Sequence, residues 1–112
     1  MPAPSPGRPN LAVVSSNGLD VDLHLGHAVT VLIYGPGQGG LPCLLETRSA
    51  PEPGAGPSRW KALARTLKDC FALVAASAGD SPRQILGRAG LPVLIAQGQV
   101  QDAVDVLYGG GT

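Results

Sequence analysis

The amino-acid sequence predicts one α/β domain built on a mixed five-stranded sheet with helices packed on it. Three observations carry that expectation. At 112 residues, 44% of them apolar, the chain can fill one hydrophobic core and is too short for two. Its sixteen glycines and eleven prolines fit short elements joined by tight turns better than long helices. The apolar runs also change character along the chain: the first half holds short runs alone, and the second alternates them with helix-period segments.

Residues 1–10 hold four prolines and no apolar stretch of the secretory kind. They read as a disordered lead-in, with the domain proper covering 11–112. Residues 11–15 form a short apolar run closed by Ser16-Asn17-Gly18, a strand followed by a turn whose Asn-Gly pair tolerates positive φ. Residues 29–34, β-branched and aromatic, make the clearest strand. After a glycine-rich loop at 35–40, residues 41–48 supply its hairpin partner. The stretch 49–57 carries three prolines and two glycines and reads as a mobile connection.

The second half alternates. Ser58 is a candidate N-cap for a helix with Trp60, Leu63, Ala64, Leu67 and Phe71 at helical spacing, ending near Asp69 or Cys70. Arg59, Lys61, Arg65 and Lys68 fall mainly on the opposite side. Residues 71–76 read as a buried strand. Asp80 or Ser81 then caps a helix with Pro82 at its first position, running to about Ala89 and stopped by Gly90. Residues 91–96 form another strand. A last helix presents Val100, Ala103, Val104 and Leu107 and ends at Gly109-Gly110-Gly111. This order implies a three-strand antiparallel opening, then β-α-β-α-β with parallel strands at 11–15, 71–76 and 91–96.

Composition excludes several function classes. No apolar run approaches the roughly 20 residues that cross a bilayer, so no membrane span is expected. A formal net charge of zero and four aromatic residues argue against nucleic-acid binding. The charge is nonetheless uneven: Arg48, Arg59, Lys61, Arg65, Lys68, Arg83 and Arg88 face only Glu52, Asp69 and Asp80 in the same stretch. Such a basic middle either favours an anionic ligand or is a solvated helix face. Cys43 and Cys70 form no CxxC and no metal-ligand spacing, which suggests reduced thiols in a cytoplasm.

Two segments could carry chemistry. Asp20-Val21-Asp22-Leu23-His24-Leu25-Gly26-His27-Ala28 holds both histidines of the chain, and imidazole nitrogen is a metal donor. Gly26 between them would let a ligand approach the backbone. The alternative reading is a polar loop whose histidines bond the backbone. The turn 77–83 offers a helix N-terminus and Arg83 to an anion but lacks either nucleotide-binding glycine pattern, so ordinary capping competes with it. Cys70 reads as a buried thiol first and a metal ligand second. Nothing resembles a nucleophile elbow. A metal nuclease would want acids at strand ends, and the runs 11–15 and 71–76 have none.

Taken in order, these segments resemble the nitrogenase iron–molybdenum cofactor biosynthesis (dinitrogenase accessory) family, of the NifX and NifB C-terminal-domain type. The resemblance spans residues 11–107. It rests on the opening strand with Ser16-Asn17-Gly18; on 21–28, similar to the family's His-Phe-Gly-His-Ala loop; and on Val31-Leu32-Ile33-Tyr34. Further matches are Leu45-Glu46-Thr47-Arg48, Leu67-Lys68-Asp69-Cys70, Ala78-Gly79-Asp80-Ser81-Pro82-Arg83 and Gly90-Leu91-Pro92-Val93. The resemblance implies a ribonuclease-H-like fold and a non-enzymatic role. That role is to bind an iron–sulfur precursor of the iron–molybdenum cofactor, or the finished cofactor, and pass it between nitrogenase cofactor assembly proteins. The family's functional histidine falls on His24, with His27 second and Gly26 between them.

This sequence departs from the family pattern at two places. Leu25 replaces an aromatic residue, and 49–57 lacks a cysteine that relatives often carry. Both favour an alternative, a protein-interaction domain of the same fold that has lost cluster binding. A third reading is a metal-dependent hydrolase on the same fold. Cargo, partner and oligomeric state stay open at this level.

Overall fold

The computed structural model describes residues 2–51 and 56–109. Its centre is strand β1 (Asn10–Val14), buried along its whole length, with β5 (Cys70–Ala75) parallel beside it. Both are nearly continuous apolar runs because both of their faces are covered. On its other side β1 pairs antiparallel with β3 (Thr30–Pro36), which pairs antiparallel with β4 (Pro42–Ser49). Beyond β5 lies the parallel strand β6 (Val93–Ile95), giving the order β4-β3-β1-β5-β6. The expected mixed five-stranded sheet with three helices is therefore present.

Alternation along the strands sorts the core into two layers. Ala12, Val14, Leu73 and Ala75 face helices α1 (Pro57–Thr66) and α2 (Asp80–Arg88), meeting Trp60, Leu63, Leu67 and Leu86. Leu11, Val13, Ala72 and Val74 face the other way, toward Val100 and Val104 of α3 (Val100–Leu107). No helix among the described residues is long and apolar enough to cross a membrane.

Several boundaries differ from the sequence reading. A two-stranded ribbon of β2 (Asp20–Val21) and β7 (Gly98–Gln99) was not expected. Helix α1 starts at Pro57, with Gly56 rather than Ser58 at the cap, and α2 starts at Asp80, which puts Pro82 third. The first four N–H groups of a helix have no intrahelical acceptor, so proline is tolerated throughout the first turn and does not fix the start. Helix α1 ends at Thr66 because the Cys70 N–H turns back to the Leu67 carbonyl (3.0 Å) and leads the chain into β5.

The lead-in engages the fold before residue 11. The Arg8 guanidinium donates to the carbonyls of Cys70 (2.9 Å) and Ala89 (3.0 Å), and the Tyr108 hydroxyl donates to the Pro9 carbonyl (2.7 Å). Residues 52–55 of the connection expected to be mobile, and Gly110 and Gly111 of the expected stop, lie outside the described residues.

Candidate functional site

The histidine loop is assembled from the turn that follows β1. Asn17 Oδ1 accepts from the N–H groups of Leu19 (2.8 Å) and Asp20 (2.9 Å), and Gly18 takes φ +80°. Asp20 accepts from the Asn17 amide (3.0 Å), and Asp22 accepts from the Ser16 N–H (2.9 Å) and the Ser16 hydroxyl. The Ser16 bonds hold the Asp22 carboxyl below its usual range. These two acids fasten the turn.

The chain is then pinned against the carboxyl end of β5. The Ala76 N–H donates to Leu23 (3.0 Å) and the Leu25 N–H to Ser77 (2.9 Å), so His24 lies in parallel register with Ser77. A single 3-10 turn, Leu25–His27, follows. Leu25 is fully buried in the layer that holds Trp60 and Leu63. The residue that departs from the family pattern is thus a core anchor of the loop.

His24 caps that turn: its Nδ1 accepts from the Gly26 N–H at 2.8 Å. A Cβ on Gly26 would stand 3.0 Å from this nitrogen and 3.1 Å from Cε1, so the glycine makes room for the imidazole as much as for any ligand. Both imidazoles are exposed, their ring centres 5.6 Å apart. The cleft formed by Asp20, Val21, Asp22, Ala76, Gln97 and Gly98 lies beside the loop in the chain and does not include His24 in its lining.

Arg59 supports the loop from beneath. It is only 7% exposed, contrary to the solvent-side position expected of it. Its guanidinium donates to the carbonyls of Gly26 (3.0 Å), Ala28 (3.4 Å) and Pro51 (3.2 Å) and lies 4.5 Å from the Trp60 ring centre. The sequence held a signal for this: Arg59 precedes Leu63 by four residues and Trp60 by one, at the edge of the buried stripe. Arg83 and Arg88 instead line clefts on α2, the first with Asp80 and Gln84, the second with Lys61 and Ile85.

Cys70 is not brought to this site. It begins β5, whereas His24 pairs beyond that strand's other end, a separation of about 20 Å at roughly 3.3 Å per residue. Its side chain is fully buried, out of reach of a ligand in solvent, and burial, reinforced by the Asp69 carboxylate, pushes its thiol up to about 12. Asp69 itself bonds both Arg48 nitrogens (2.7 and 2.8 Å) and Asn10 (2.8 Å), and Arg48 holds its carboxyl well below the usual range. Cys43 is exposed on β4. Among the described residues no three His, Cys, Asp or Glu side chains converge as a metal site.

The fold is shared with solved structures. The crystal structure of PH0822 superposes with a TM-score of 0.69 at 18% identity, over 90% of this chain and 91% of that one. The NMR structure of a Thermotoga protein superposes at 0.54 and 24% identity, over 88% and 85%. In sequence, the FeMo cofactor biosynthesis protein NifB of Chlorobaculum tepidum is 40% identical over 108 residues, which is 96% of this chain. The chain spans 26% of the length of that curated relative. The family model described as dinitrogenase iron-molybdenum cofactor matches residues 9–110. The chain belongs to the dinitrogenase iron–molybdenum cofactor family.

Proposed function

We propose that this domain is a non-enzymatic carrier that holds an iron–sulfur or iron–molybdenum cofactor, or its precursor, through His24 during nitrogenase cofactor assembly. The observation that carries this reading is the exposed His24 imidazole on a backbone pinned at once to β5, to the core through Leu25, and to Arg59. His27 is the second candidate donor, and Gly26 keeps the space between them. Two imidazoles offer a cluster at most two ligands. The remaining sites stay with small thiols or an assembly partner, which suits transient holding in the cytoplasm. The reading takes the sheet as ribonuclease-H-like.

The geometry adds a condition. A neutral imidazole has one in-plane lone pair, and in His24 the Nδ1 lone pair accepts the Gly26 N–H. The ring proton therefore sits on Nε2, the reverse of the arrangement in which a metal-bound histidine donates its second N–H to a neighbour. Ligation requires the Gly26 bond to open, after which that N–H is free to donate to a cluster sulfide.

The test uses a synthetic four-iron cluster capped by small thiolates, mixed anaerobically with the chain and followed by gel filtration and iron analysis. Iron comigrating with the wild-type chain and not with the His24→Asn variant is expected. Absence of comigration with wild type overturns the carrier reading. A second reading, an interaction domain without cargo, is favoured by the exposed edge strand β4, where Leu44 and Leu45 are 51% and 47% exposed.

A further inference from the structure

We infer that Arg59 is the positioning residue of the His24 loop, a buried cation that fixes the loop's inner carbonyls and biases the site toward anionic cargo. The inference rests on the carrier reading for its ligand and on geometry alone for its structural part. Arginine stays charged at any ordinary pH, and burying its guanidinium is unfavourable unless its nitrogens find acceptors, as each of the three does here. Here the acceptors are neutral: the carbonyls of Gly26, Ala28 and Pro51. No carboxylate among the described residues pairs with Arg59; the ion pairs of the described chain belong to Arg48.

Two consequences follow from that arrangement. The carbonyls of Gly26 and Ala28 flank His27 at the end of the 3-10 turn that His24 caps, a turn closed by the His27 N–H donating to His24 and the Ala28 N–H donating to Leu25. Drawing both inward holds the turn in the one conformation that leaves the His24 and His27 rings outside. The positive charge also lies one bridging carbonyl from the loop, inside protein where water screens it less than at the surface. An anionic metal sulfide bound at His24 is attracted by this charge, and a bare divalent cation on the same imidazoles is repelled.

The experiment compares wild type with Arg59→Met and Arg59→Lys. Its first readout is hydrogen exchange at the Leu25 and Ala28 amides, which donate to Ser77 and Leu25. Exchange at these two amides should quicken on the order of tenfold in Arg59→Met while amides within β5 hold, since only the loop loses its tie. The second readout is the ratio of affinities for the thiolate-capped four-iron dianion and for Ni²⁺. That ratio should fall on the order of tenfold in Arg59→Met and stay near the wild-type value in Arg59→Lys, which keeps the charge. Unchanged exchange in Arg59→Met overturns the positioning role, and an unchanged ratio overturns the electrostatic one. Should Arg59→Met not fold, Arg59→Lys decides: it must quicken loop exchange, because a single ammonium nitrogen cannot span carbonyls that three separate guanidinium nitrogens reach, and must keep the ratio. A wild-type chain that binds Ni²⁺ but no cluster refutes the carrier reading, and the exchange data still decide the positioning role.

Discussion

Replacing His24 by asparagine separates the two roles that its imidazole can play. The ring is exposed, so it contributes no core packing, and its structural contribution is the single bond from the Gly26 N–H. Losing an N-cap acceptor to alanine costs typically about 1 kcal/mol. Gly26 is itself half-exposed, so water recovers part of that bond and His24→Ala should fall at the low end, about 0.5–1 kcal/mol. For a domain of this size that is a fall of about 2–5 °C in Tm. His24→Asn should restore most of it. The chain already shows the geometry at Asn17, whose Oδ1 accepts the N–H two residues on, at Leu19, just as Nδ1 of His24 accepts the N–H of Gly26. An amide oxygen is not an imidazole donor to iron, so cluster retention should be lost in both variants. Calorimetry and the anaerobic gel-filtration assay check the two halves. Refutation would be an Asn variant that retains iron, or an Ala variant destabilised by more than about 2 kcal/mol, which a single exposed bond cannot supply.

The remaining expectations concern neighbouring residues. His27→Ala should weaken cluster retention less than either His24 variant, measured as iron per chain, because His27 has no comparable pinning to β5. Gly26→Ala sets a methyl against the His24 ring at 3.0 Å without any positive φ to oppose, so urea titration should show a loss below about 1 kcal/mol. Cys43 should react with a thiol reagent in the native chain at once, whereas Cys70 should react only as fast as the domain unfolds. Asp69 has its pKa depressed by Arg48, so its contribution is present at neutral pH and lost as pH falls below the ordinary carboxylate range. Acid unfolding of Asp69→Asn should accordingly lose the part of its pH dependence that lies below about pH 4.

The element order and the central sheet were legible because burial imposes spacing. Continuous apolar runs mark β1 and β5, and Trp60 and Leu63, with Leu67 at its C-cap, mark the buried side of α1. The β2–β7 ribbon was not legible, since two residues such as Asp20 and Val21 are too few to show alternation, and their partners Gln99 and Gly98 are distant in the chain. Helix starts slipped because a proline near the N-terminus is compatible with any first-turn position. The histidine loop is legible from its residue types, and the structure adds that both rings are exposed. Which nitrogen is engaged, and by what, depended on the chain folding back at Gly26. The charge of Arg59 predicts a solvent position although its spacing places it at the buried stripe, and the carbonyls of Gly26, Ala28 and Pro51 with the Trp60 ring explain why a cation is stable there.

The central claim, that a cluster is held by the His24 imidazole, is tested most directly by pulsed electron paramagnetic resonance. The chain is loaded anaerobically with the thiolate-capped four-iron cluster, reduced to its paramagnetic state, and compared with and without ¹⁵N-labelled histidine. The carrier account predicts a nitrogen coupling that changes with the label, persists in His27→Ala and disappears in His24→Asn. A cluster that comigrates with the wild-type chain and shows no histidine nitrogen coupling would contradict it.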